Sequence, residues 1–330
     1  RQQPAANGAM LAAYKVSERG LEPRPLDEGG AIPAGTTWID LAQPTPAEDR
    51  LTEAFLGAEI PTREESQEIE NFSRFYTEDN AVFMTASLLT GVDRDEPRLM
   101  PFTIVIAGDK MATVRYLDFH ALTQFIARAT KPAGGCTNAP ALFITLLEAI
   151  VDRSADVLER VSAVVDRINR EIFAREKSVH RRDHELAQLI GEIGLQGDLA
   201  AKVRESLSSL ERLVQFASLA LPTAYAKGNN RARLKLAGRD IRSLEDHVTF
   251  LSNKVNFLLD ASLGLITVEQ NEVIRVLTVA ATVFFPPTLL GTVWGMNFSF
   301  MPELTWPIGY PLAILAMPAS AYGPYYYFRR

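Results

Sequence analysis

Hydrophobic and polar positions divide this chain into three regimes. In the first, short apolar runs recur between turn residues: "AAYKV", "TTWIDL", "AVFMTASLLT", "FTIVIAG" and "MATVRYL". Runs of that length and β-rich composition predict strands. Helical stretches lie between them. "PTREESQEIENF" reads as a helix start, with Thr62 as N-cap and Glu65 three residues on as capping-box partner. Residues 1–135 are therefore expected to form an α/β domain.

The breaker-rich "KPAGGCTNAP" (131–140) closes that region, and the period then becomes helical. Leu147, Ile150, Val151, Val157, Leu158, Val161, Val164, Val165, Ile168 and Ile172 form a 3-4 stripe whose other face is charged. A second helical stretch runs from about Glu185 to Leu219 and stops before Pro222. Residues 136–222 are expected to pair as a helical hairpin. The third regime, 223–294, has no proline between Thr223 and Phe285. One helix from Asn230 to Trp294 would be about 95 Å long at about 1.5 Å per residue. Its first part reads as a stalk.

Its last part, "VLTVAATVFFPPTLLGTVW" (276–294), is 19 residues without charge. After a loop at 295–309, "YPLAILAMPASAYGPYYYF" (310–328) gives another 19. About 20 such residues cross a bilayer. Trp294, Trp306, Tyr310 and Tyr325–Tyr327 fall where interfacial aromatics are expected. Pro318 and the pair Gly323–Pro324 predict a kinked or frayed second span. Arg275 precedes the first span and Arg329–Arg330 follow the second, which puts both termini in the cytoplasm and 295–309 outside.

Composition sharpens the picture. Net charge is -6, yet Glu303 is the only charged residue between Val276 and Phe328. A mildly acidic chain without a basic run gives no reason to expect nucleic acid as a partner. The single cysteine, Cys136, excludes an internal disulfide, and the start "RQQPAANGAM" lacks the apolar core of a signal peptide. No Gly-rich Lys motif for nucleotide binding and no paired His/Asp/Ser set occurs, so an enzyme is not expected.

The first span argues for a pore. Continuing the stalk register aligns Asp260, Thr267, Asn271, Ile274, Leu277–Thr278, Ala281–Thr282, Phe285, Thr288 and Thr292 on one face. A single helix encloses no path, so this face implies an oligomer. The alternative is that each threonine bonds its own helix. Pro286–Pro287 removes two helix donors in mid-span. At the outer end, Gly295-Met296-Asn297 offers a neutral carboxamide oxygen, suited as a ring to a hydrated cation; a helix cap by Gly295 or Asn297 is the other reading. Glu303 would concentrate cations at the loop.

"GMNF" followed by "MPEL" between two C-terminal spans resembles the CorA family of divalent-cation channels, as does "NEVIRVLTVAATVFFPPTLLGTVWGMNFSFMPELTWPIGYP" along its length. The resemblance implies a pentameric, funnel-like channel: an α/β cytoplasmic domain, a long-helix domain and two C-terminal transmembrane helices in a bacterial inner membrane. It implies passive Mg²⁺ influx, with Co²⁺ or Ni²⁺ as further ions, closed by cytoplasmic Mg²⁺ and using no cofactor. Gly295, Met296 and Asn297 take the selectivity-filter positions. Asn271, Leu277, Phe285 and Thr288 match pore-lining places, and Asp260 an acidic place below the pore. A methionine is common where Phe285 stands. Asp93 matches a regulatory metal position, with Asp240 or Asp246 as its stalk partner. The alternatives are a ZntB-like zinc transporter of the same architecture and, from another class, a membrane-tethered sensor or enzyme.

Overall fold

The computed structural model describes residues 11–17, 20–26, 30–68, 70–131, 138–173, 179–221, 229–296, 302 and 306–329, with backbone alone at 71–72, 179–185 and 329. Seven strands form one mixed sheet: β1 (Leu11–Ser17), β2 (Gly20–Arg24), β3 (Trp38–Ala42), β4 (Phe75–Glu78), β5 (Ala81–Thr90), β6 (Arg98–Ala107) and β7 (Lys110–Arg115). Their spatial order is β2-β1-β3-β7-β6-β5-β4. All neighbours are antiparallel except β3 and β7, where Trp38 pairs with Met111 and Ala42 with Arg115.

The strands alternate between two buried faces. Ile39, Leu41, Phe83, Val105 and Val114 pack with Leu56, Ala58 and Ile60 at the end of α1 (Pro46–Leu56). On the other face Trp38 meets Phe125 of α4 (His120–Ala129) edge-on at 5.8 Å. That face carries a polar chain: Trp38 Nε1 donates to Thr113 Oγ1 at 3.1 Å, and Thr113 Oγ1 donates to Asp40 Oδ1 at 2.8 Å. Arg115 donates to the same carboxylate from Nε and Nη2 at 3.1 and 3.0 Å. Burial pushes the Asp40 carboxyl up, and Arg115 opposes it.

The Thr62–Glu65 capping box forms as the sequence indicates, with Thr62 N to Glu65 Oε2 at 2.8 Å and Glu65 N to Thr62 Oγ1 at 3.3 Å. The helix it starts, α2 (Arg63–Gln67), stops after five residues, and a second short helix, α3 (Asn71–Arg74), leads straight into β4.

Three long helices follow: α5 (Ala139–Phe173), α6 (Val179–Ala220) and α7 (Asn229–Trp294). Polar pairs fix their directions. Arg233 of α7 donates to Thr145 and Lys254 to Asp166 of α5, both 88 residues apart, so these two run parallel in one register. Arg242 pairs with Glu211, and Arg204 reaches Thr249 and Ser252, so α6 runs the other way. Arg167 joins α5 to Glu192 of α6. On the sheet, Ser87 N donates to Ser209 Oγ of α6 at 2.9 Å. The expected hairpin is thus two sides of a three-helix arrangement that packs with the sheet as one unit, through Leu258. The second unit holds residues 259–330 and 179–183. It contains the rest of α7 and α8 (Gly309–Arg329), which stays helical through Pro318 and Pro324.

Candidate functional site

Within the second unit, α7 presents two different faces. Toward α8 lies Gly291, where an added Cβ would meet Met317 Cε at 3.2 Å. That close approach explains a glycine inside α7. The expected pore face is exposed: Ile274 is 60%, Leu277 69% and Phe285 68% accessible, and Asp260, Asn271 and Thr288 are exposed too. Among the described residues, α7 is the one helix long and apolar enough to cross a membrane, and none of its apolar window is buried within the chain.

Each threonine on this helix bonds its own backbone. Thr267, Thr278, Thr282, Thr288 and Thr292 donate to the carbonyls four residues earlier, at 3.0, 2.7, 2.8, 2.8 and 2.7 Å. The local alternative holds for every one, but it spends the hydroxyl hydrogens and leaves the oxygen lone pairs. Pro286 and Pro287 have no N–H, so the carbonyls of Thr282 and Val283 lose their ladder donors. The helix stays continuous through both prolines.

At the helix end, Gly295 N donates to Gly291 O at 3.0 Å, and Met296 N to Val293 O at 3.3 Å. Gly295 is not among the glycines with positive φ, so it does not act as a left-handed cap. Asn297 and Glu303 lie outside the described residues.

Asp93 sits in a 3-10 turn, Val92–Arg94, at the end of β5. Gly91 makes the turn possible: its φ is +74°, and a Cβ there would stand 2.2 Å from Glu96 O. Both Asp93 oxygens are engaged by α5. Arg153 Nη2 donates to Oδ2 at 2.6 Å and Arg160 Nη1 to Oδ1 at 3.2 Å. The Arg153 hydrogen bond, with help from Arg160, holds the Asp93 carboxyl below the usual range. The turn borders a cavity of about 430 Å³, lined also by Glu96, Asp118, His120, Arg153 and Ser206.

Neither expected stalk partner meets Asp93 in this chain. Asp240 is exposed and lies close enough to Asp152 of α5 to add to the rise that burial causes there. Asp246 is exposed and adds to the rise that burial and Glu211 cause at Glu245. Among the described residues, no three His, Cys, Asp or Glu side chains gather as a metal would need. Asp93 stays 45% exposed although both of its oxygens are paired with arginines. Arg153 and Arg160 were not legible as partners of that turn, although their spacing of seven puts them on one helix face.

The family model for CorA-like Mg2+ transporter proteins matches residues 33–330. The chain belongs to this CorA-like family. A relative named magnesium transport protein CorA, from Yersinia pseudotuberculosis serotype I, is 31% identical over 323 residues, 97% of this chain and 99% of its own length. The solved CorA magnesium transporter of Methanocaldococcus jannaschii has the same fold, with a TM-score of 0.78 at 15% identity over 98% of both chains. The cytoplasmic domain of ZntB from Vibrio parahaemolyticus is also similar, with a TM-score of 0.58 at 9% identity, over 78% of this chain and 97% of its own. Both solved structures share a fold with this chain, and the full-length sequence match is to the magnesium transport protein.

Proposed function

We propose that the chain is a magnesium transporter: a homopentamer that passes Mg²⁺ into the cytoplasm across a bacterial inner membrane. The carrying observation is the exposed, acceptor-bearing face of α7 that ends at Gly295 and Met296, in a chain matched by the family model from residue 33 onward. An exposed apolar and polar face on an apolar helix needs copies of itself around an axis. Phe250 and Phe257, stacked on His247 and Phe173 yet still 59% and 57% accessible, continue the exposed apolar surface along the stalk. In this reading α7 from 276 to 294 and α8 are the two spans, residues 295–309 lie outside, and both termini are cytoplasmic.

Asn297 is the ring oxygen that reads the hydrated ion, with Gly295 and Met296 positioning it, and Glu303 draws cations to the mouth. Asp260, Asn271, Leu277, Phe285 and Thr288 line the path. Cytoplasmic Mg²⁺, held by Asp93 and a neighbouring copy's stalk carboxylate at position 240 or 246, closes it. Co²⁺ and Ni²⁺ are further ions of the same path. No engine is needed: a divalent ion entering an inside-negative cell gains about 4.6 kcal/mol per 100 mV, twice the roughly 2.3 per unit charge. Transport, not catalysis, is the activity of the family the chain belongs to.

The test is fluorescence-detected uptake of Mg²⁺ and Zn²⁺ into proteoliposomes at two internal Mg²⁺ levels. Mg²⁺ uptake that exceeds Zn²⁺ uptake, falls at high internal Mg²⁺ and is lost in Asn297→Ala is expected. Parental Mg²⁺ flux in Asn297→Ala overturns the filter assignment; Zn²⁺ preference overturns the choice of ion.

A further inference from the structure

We infer that Arg153 and Arg160 are built-in competitors for Asp93 and set the concentration at which a divalent cation can occupy it. The inference rests on Asp93 being a cation donor, as proposed above, and adds what this chain does to that donor.

A cation and a guanidinium want the same thing from a carboxylate, its two oxygens. Here both oxygens are taken, one by each arginine, at 2.6 and 3.2 Å. The arginines come from positions seven apart on α5, roughly two helical turns, and so approach the carboxylate from one rigid element. Neither can be removed by pH, because a guanidinium stays protonated throughout the physiological range. The backbone that carries the carboxylate is held as well. Gly91 closes the turn, with Arg94 N and Glu96 N donating to Gly91 O at 3.0 and 3.1 Å.

Mg²⁺ is a poor opponent for such a pair, since it gives up its waters reluctantly. It must displace at least one guanidinium. A displaced Arg153 has somewhere to go, because the cavity beside it carries Glu96 and Asp118 on its walls. Asp118 is 81% exposed and held only loosely, by Arg94 at 3.7 Å and Arg115 at 3.4 Å. Arginine and cation can therefore exchange places without leaving a buried charge bare.

The predicted signature is a shift in concentration rather than a loss of response. Two partly exposed pairs of ordinary strength amount to a factor of about three to thirty. The full-length protein in phosphatidylcholine nanodiscs is titrated with MgCl₂, and amide exchange of the segment 88–98 is followed by mass spectrometry. Arg153→Gln/Arg160→Gln should reach half its protection at about three to thirty times less Mg²⁺ than the parent. Arg160→Gln alone, at the more exposed arginine, should shift less in the same direction. It also serves if the double variant has a lowered thermal midpoint. Asp93→Asn should abolish the Mg²⁺ response of this segment. An unshifted or upward-shifted midpoint with an intact response overturns the competition and leaves Asp93 as a donor. No response to Mg²⁺ at 88–98 in any variant overturns the donor reading together with the competition.

Discussion

Replacing Asp40 by leucine should remove the one buried acidic side chain among the described residues of the sheet and put an apolar side chain of similar size in its place. Asp40 is 4% exposed and Arg115 18%. Breaking a buried pair by removing one partner costs about 3–5 kcal/mol, because the other charge remains. Arg115 keeps two weaker partners, Leu117 O at 3.3 Å and Asp118 Oδ1 at 3.4 Å, so a smaller loss than that full range, about 2–4 kcal/mol, is expected. Amide exchange in β3 and β7, which carry both residues, reads the loss directly. At a tenfold change per 1.4 kcal/mol, protection of these strands should fall by about thirty- to a thousandfold. The double variant Asp40→Leu/Arg115→Met removes the stranded charge and should recover to within about 1 kcal/mol of the parent. A single-variant loss below about 1 kcal/mol, or a double variant no better than the single, would refute the claim that the pair acts as a coupled buried charge.

Four further outcomes follow from the geometry. Gly91→Ala forces a side chain into a φ of +74° and against Glu96 O, and should lower stability by about 1–3 kcal/mol, seen as faster exchange at 88–98. Ser209→Ala leaves the buried Ser87 N–H without its acceptor and should cost about 1–3 kcal/mol in guanidinium unfolding; a neutral result would show that water or a shifted helix takes its place. Gly291→Leu should drive α8 off α7, measured as loss of disulfide cross-linking between cysteines introduced at 287 and 321, one turn along each helix from the Gly291–Met317 approach, whereas Gly291→Ala needs only the flexible end of Met317 to yield. Asp93 has a depressed pKa, so its pairing contributes fully above the ordinary carboxylate value and is lost as the pH falls through the depressed one. Intrinsic-rate-corrected exchange at 88–98 should therefore be flat from pH 7 to about 5 and rise only below about 4.

The sequence disclosed those parts of the fold whose burial imposes a pattern. β5 and β6 read as strands because nearly every position is covered on both faces, leaving continuous apolar runs. The two strands that escaped, β2 and β4, are the two edges of the sheet. An edge needs one partner and faces water along its other side, so "GLEPR" and "FYTE" carry charges and a proline without an apolar run. The long helices were legible from their stripe. α6 began earlier than expected, at Val179, because the charged "VHRRDH" is helical without any apolar period to announce it. The proline-interrupted second span was expected to kink or fray; α8 stays helical through Pro318 and Pro324 to Arg329, so it does not fray there, since each proline removes one ladder bond and leaves its neighbours in place. At the candidate site, a face of α7 can be read from periodicity, while in the single chain its whole apolar stretch is exposed, Val276 and Phe284 as much as Leu277 and Phe285. The partners of Asp93 cannot be read that way, because they lie 60 and 67 residues away, on a helix whose charged face looked like ordinary solvent-facing surface.

The hydroxyl bonds along α7 carry a consequence for sign. A threonine whose hydrogen is committed to its own backbone can only accept, and the carbonyls bared by Pro286 and Pro287 can only accept as well. The water around a cation points both hydrogens outward, toward such oxygens; the water around chloride spends one hydrogen on the ion and has only the other to offer. If α7 lines the path as proposed, such a lining favours cations over anions without an ionised group inside the bilayer, where one would be costly to keep.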